Sequence, residues 1–225
     1  MTLHDWPFLG RTEPLTVTGG KGAYLLKKDG TKILDAAGGA IVVNIGHGRE
    51  EVAEALAKAT AAGGYVVPTW MTPEREALVK ELTEHWLPPH LNRIHLTSGG
   101  SEANEAAIKI AVQYFAAKGQ AEKSKIVSRS LSYHGTTITT AGVSGHASRK
   151  RGLEGILDQY TTIETPYPLR CPIGQHHPGA TDYYINNLLA IIDSEGPENI
   201  AALIAEPMNG SSGGAITPPP DYWNR

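Results

Sequence analysis

Cysteine is nearly missing from this chain: Cys171 is the single thiol in 225 residues, which excludes an internal disulfide framework and fits a reducing compartment. Neither sign of charge dominates, since 20 basic and 23 acidic residues leave a net charge of -3. They are scattered along the chain, so there is no basic stripe for nucleic acid and no polybasic cluster for a membrane surface. No apolar run approaches the roughly 18 residues that a membrane span needs. The start, "MTLHDWPFLGRTEPLTV", has no basic stretch followed by an apolar core, so no secretory leader is expected. There is no internal repeat, no Walker-type Gly-Lys-Ser/Thr loop and no GxGxxG fingerprint. Cys171, His176 and His177 stand close together in "RCPIGQHHPGATD", but their spacing matches no zinc pattern, and no metal site is expected.

What is present, 40% hydrophobic and 19% charged residues, is the composition of a globular protein with one sizeable core. "GKGAYLLKKDGTKILDAAGG" places two short apolar runs around Asp29-Gly30 and predicts a hairpin. "GREEVAEALAKATAAG" has its apolar residues at helical spacing, and "TPEREALVKELTEHW" repeats the pattern behind a Thr72 cap and Pro73. "NRIHLTS", "KIVSRS" and "NIAALIAEPM" predict strands, separated by a long helix from about Ser101 to Ala117 and by another in "TDYYINNLLAIIDSEG". A final helix is expected to begin at Asp221. Strands alternating with helices predict an α/β domain with a largely parallel sheet.

Three stretches carry candidate chemistry. In "TSGGSEANEAAIKIA" the glycine pair Gly99-Gly100 precedes Ser101 at the mouth of a helix, where free amides and the helix dipole favour an anion such as phosphate. A bare tight turn is the other reading. In "SYHGTTITTAGVSG" the residues Tyr133, His134 and Gly135 follow a strand, and lie where open α/β sheets bind ligands. Tyr133 offers a ring to stack on a planar group, or else packs on the sheet edge. In "LIAEPMNGSSGG" Glu206 emerges from an apolar strand at the same edge, either to face a ligand or to cap a helix or join a salt bridge. The three would converge on one edge of the sheet.

These stretches, together with "GKGAYLLKKDGTKILDAAGGAIVVNIGHG" and "AEPMNGSSGGAITPPPDYW", resemble the class III aminotransferases, pyridoxal-phosphate enzymes of fold type I, over nearly the whole chain and in the family's order. The resemblance implies a large domain with a mostly parallel sheet, begun here by residues 49 to 225. It implies a small domain assembled from both chain ends, to which residues 1 to 48 would belong. It implies that the amides of Gly100 and Ser101, with the Ser101 hydroxyl, hold the phosphate of pyridoxal 5'-phosphate. Tyr133 would stack on its ring, His134 would lie beside the ring, and Glu206 near its phenolic oxygen. Trp70, in "YVVPTWMTPE", would stand on the substrate side or else belong to the core. The reaction implied moves an amino group from an amine or ω-amino acid to a 2-oxo acid, in a cytoplasmic homodimer.

The sequence departs from the family in one respect. The Schiff-base lysine and the aspartate that keeps the pyridine nitrogen protonated come later in family members than "AEPMNGSSGG". Lys21, Lys27, Lys28, Lys32, Lys109, Lys123 and Lys125 are all placed elsewhere. The 225 residues therefore read as the N-terminal part of a longer enzyme, or as one of two polypeptides that complete the fold together. A non-catalytic phosphate-binding or assembly module, and an aminomutase of the same family, are the alternatives.

Overall fold

The computed structural model describes residues 15 to 157 and 160 to 225, so the expectations for the first 14 residues lie outside the described residues. The chain divides into two compact units, Met1–Ile94 and His95–Arg225.

In the first unit, β1 (Val17–Lys21), β2 (Tyr24–Lys27) and β3 (Lys32–Leu34) form an antiparallel sheet in that order. The turn is the one the sequence predicts: Gly30 adopts a φ of +82°, and the Asp29 carboxylate accepts a hydrogen bond from the Thr31 amide at 2.9 Å. A short turn, α1 (Gly38–Ile41), follows with left-handed φ at all four positions, which is costly for Ala40 and Ile41. Asp35 fastens it by accepting from the Gly39 amide at 2.7 Å and pairing with His47 Nε2 at 2.7 Å. Next come α2 (Glu50–Ala62) and α3 (Pro73–Glu81), the latter capped by Thr72 Oγ1, which accepts from the Arg75 amide at 3.3 Å. A π-helical turn extends α3 over Leu82–Trp86.

The second unit contains α4 (Gly100–Ala117), β4 (Lys125–Arg129), the short helices α5 (Ile138–Val143) and α6 (Ala147–Lys150), β5 (Thr162–Ile163), α7 (Ala180–Glu195) and β6 (Ile200–Leu203). Its sheet is parallel, in the order β5-β4-β6, with Arg129 opposite Ile163 and Val127 opposite Leu203. β4 is central, which explains its apolar character: Ile126 through Arg129 are all buried. Cys171, Ala180, Tyr184 and Tyr222 pack into a cluster beside the sheet. Cys171 is thus a core residue.

One expected strand does not form. Arg93–Ser98 is not a strand, because a strand exists only with a ladder partner and none of the described residues supplies one. At Asp221, where a helix is expected to begin, the Arg225 amide donates to Asp221 O at 3.2 Å, one turn with the i to i+4 bond of a helix.

Candidate active site

Residues of one face of α4 meet the loop that follows β4. Ser101, Asn104 and Glu105 are spaced i, i+3 and i+4, so they line one side of the helix. The Thr136 amide donates to Ser101 Oγ at 3.0 Å, Asn104 Nδ2 donates to His134 O at 2.6 Å, and Thr137 Oγ1 donates to the Glu105 carboxylate at 2.6 Å. Gly135 lies in this seam with a φ of +144°. A Cβ there would fall 2.5 Å from Thr140 Oγ1 and 2.6 Å from Ser101 Oγ, so the position excludes any side chain.

The mouth of α4 is open. Gly99, its N-cap, is extended and no side chain caps the helix, while Ala103 N already bonds to Gly99 O at 3.0 Å. The amides of Gly100 and Ser101 precede the intrahelical ladder and carry the positive end of the dipole. Glu102 is engaged by the Ser98 amide at 2.9 Å.

Glu206 leaves β6 at the carboxyl edge of the sheet. One carboxylate oxygen accepts from the Tyr133 amide at 2.6 Å and the other from the Gly210 amide at 2.7 Å. It therefore joins the loop after β4 to the loop after β6. The Tyr133 ring is half-buried, with the Arg149 guanidinium 4.8 Å from its centroid and the His146 ring edge-on at 6.5 Å.

His134 is 5% exposed; its amide donates to Ser144 Oγ at 2.8 Å and its Nε2 has no partner. Burial pushes its imidazole below the ordinary 6.5, with the Glu206 charge opposing and the Arg129 charge reinforcing the shift. The ring is neutral at pH 7.

Gly100, Ser101, Tyr133, His134 and Glu206 are thus brought together. Trp70 belongs to the first unit, where its side chain is 69% exposed and its carbonyl accepts from Arg75 Nη1 at 2.7 Å. Sequence reading did not single out Asn104, Glu105, Thr137, Arg129 or Asn209. The signal for Asn104 and Glu105 was their helical spacing from Ser101. Asn209 is buried and its Nδ2 donates to Leu131 O, a contact that no local pattern announces.

The family model "Aminotransferase class-III" matches residues 10–225. The chain belongs to the class III aminotransferases. It is 34% identical over 222 residues to "Uncharacterized aminotransferase YodT" of Bacillus subtilis, covering 97% of this chain and 49% of that protein. It is 33% identical over 223 residues to "Gamma aminobutyrate transaminase 2" of Solanum lycopersicum, covering 94% and 47%. Among solved structures, a thermostable (S)-enantioselective omega-transaminase from Thermomicrobium roseum superposes with a TM-score of 0.88 at 35% identity, covering 99% of this chain and 49% of that one. An amine transaminase from an uncultivated Pseudomonas species, described as PLP-bound, superposes at 0.85 with 33% identity, covering 100% and 50%. The α/β fold is therefore that of the fold type I class III aminotransferases, a pyridoxal-phosphate-dependent family. The chain spans about half the length of the curated relatives it matches.

Proposed function

We propose that this class III aminotransferase chain holds pyridoxal 5'-phosphate at the carboxyl edge of its parallel sheet and takes part in moving an amino group from an amine or ω-amino acid to a 2-oxo acid. The observation that carries the reading is the uncapped mouth of α4, with Ser101 tied at 3.0 Å to the loop after β4, the loop that also carries Tyr133. The residues fit the group. The helix mouth offers free amides to a phosphate, the space beside Gly99 and Gly100 is open, and the buried His134 Nε2 has no protein partner.

Gly100 and Ser101 would hold the phosphate through their amides. Because Ser101 Oγ accepts from Thr136 N, its own proton is free to be donated to a phosphate oxygen. Tyr133 would lie against the ring, with its main chain fixed by Glu206. His134, neutral and buried, would stand beside the ring without adding charge. Trp70 would stand on the substrate side. When bound, the group supplies the electron sink for removing the proton next to the donor's amine.

We assign the lysine and the ring-nitrogen aspartate of that chemistry to no residue of this chain. Among its lysines, Lys125 pairs with Glu195 at 2.7 Å, Lys123 donates to Pro197 O at 2.7 Å and Lys150 donates to Gly142 O at 2.7 Å. We further propose a cytoplasmic homodimer, or an assembly with a second polypeptide, in which residues 1 to 48 join the small domain and residues 49 to 225 the large one. Among the described residues no helix is long and apolar enough to cross a membrane.

The test is to supply the protein as purified from its source with pyridoxal phosphate, a panel of primary amines and ω-amino acids, and either pyruvate or 2-oxoglutarate. Cofactor-dependent appearance of alanine or glutamate supports the reading. Cofactor binding without amino transfer to either acceptor would leave the non-catalytic module in its place.

A further inference from the structure

Arg129, the last residue of β4, is fully buried and is the largest of the side chains removed from solvent. An arginine at the end of a strand is usually free to reach water, so its burial needs a cause. Its Nη1 donates to the Glu206 carbonyl at 2.8 Å, while Nε and Nη2 have no oxygen or nitrogen acceptor. What faces them is aromatic: the guanidinium carbon lies 5.3 Å from the Tyr222 ring centroid and 4.7 Å from that of Trp223. Trp223 is itself tied to the same loop, since its Nε1 donates to Pro207 O at 3.2 Å. A buried cation without an ion-pair partner is costly, and the attraction of the two rings for the guanidinium, which is more weakly hydrated than an ammonium, offsets that cost. A lysine could keep the single hydrogen bond, but its compact, strongly hydrated charge is less suited to a site closed by two rings.

The arrangement connects three parts of the unit. Tyr222 and Trp223 hold Arg129, Arg129 holds the Glu206 main chain, and the Glu206 carboxylate holds the amides of Tyr133 and Gly210. We propose that Arg129 is a positioning residue, which fixes Tyr133 for the cofactor by clamping the strand end that carries Glu206 onto the Tyr222–Trp223 turn. The role toward the cofactor rests on the function proposed above; the clamp itself does not.

The test compares the full chain with Arg129→Lys, Trp223→Leu and Trp223→Phe. Two readouts are used: residue-resolved hydrogen exchange without cofactor, and the affinity for pyridoxal phosphate by fluorescence titration. Exchange at the Tyr133 and Gly210 amides is expected to accelerate about tenfold in Arg129→Lys and Trp223→Leu, with Trp223→Phe, which retains a ring face, close to wild type. Cofactor affinity is expected to fall about tenfold in the same two variants. If Arg129→Lys does not fold, the two Trp223 variants decide the matter alone. Unchanged exchange at Tyr133 and Gly210 would overturn the clamp, as would acceleration spread evenly over β4 and α7, the mark of a residue that only stabilises the core. Faster exchange at the two amides in a chain whose wild type takes up no pyridoxal phosphate would keep the clamp and dismiss its role toward the cofactor in this chain.

Discussion

Gly135 shows how much a single position decides. A methyl group there meets two hydroxyl oxygens inside normal contact distance, and the backbone is in a region that L side chains avoid. Gly135→Ala is expected to cost about 1–3 kcal/mol in urea unfolding and to loosen the contact between Ser101 and Thr136. A cost below about 0.5 kcal/mol would show that the seam yields easily. His134 carries a second consequence. Its folded-state pKa lies below the unfolded value, so below about pH 6.5 the unfolded chain binds more protons and stability is lost as the pH falls. The urea midpoint should drop from pH 7.5 to pH 5.5 by more in the wild type than in His134→Gln; equal drops would contradict it. The glycine was legible in the sequence as part of a Tyr-His-Gly motif after a strand. Arg129 was not, because a charged residue at a strand end looks like any solvent-facing one until Tyr222 and Trp223, far along the chain, are seen to cover it.

Elements whose signals are local were legible. Thr72 and Pro73 mark the start of α3, the Asp29-Gly30 pair marks a turn, and the apolar runs of β4 and β6 mark a parallel sheet, in which β4 is buried as expected while β6, at the edge of the described sheet, is only half-buried with Leu203 exposed. Arg93–Ser98 has an equally apolar alternation and forms no strand, because pairing depends on a neighbour that its own residues do not specify. The docking of α4 lies between these cases. Its helical character is local, but the choice of face follows from Ser101, Asn104 and Glu105 all reaching the same loop. Asn104→Ala should therefore destabilise the second unit by about 1–2 kcal/mol, since the His134 carbonyl loses its donor, whereas Lys109→Ala, further along the same helix, should change little. Similar losses for the two variants, measured by thermal unfolding, would argue that α4 is held by something other than this face.

Among the described residues the buried apolar ones, from Ile126 to Tyr222, all fall in the second unit. The first unit has no buried residue among those described, and it exposes Tyr65, Trp70 and Trp86 by 78%, 69% and 73%. Surfaces of that kind mark contacts with other protein segments, in keeping with the proposed assembly. The site, by contrast, is built within the second unit from α4 and the ends of β4 and β6, and can be tested apart from catalysis. The most direct measurement is a titration of the full chain with pyridoxal phosphate and with pyridoxal, which lacks the phosphate, in the wild type and in Ser101→Ala. Three charge-assisted hydrogen bonds at the mouth of α4, two from amides and one from the Ser101 hydroxyl, predict that the phosphorylated form binds at least about 100-fold more tightly, and that Ser101→Ala, which removes the hydroxyl, takes away about tenfold of that preference. Equal binding of the two compounds, or a preference that Ser101→Ala leaves intact, would contradict a phosphate held at Gly100 and Ser101.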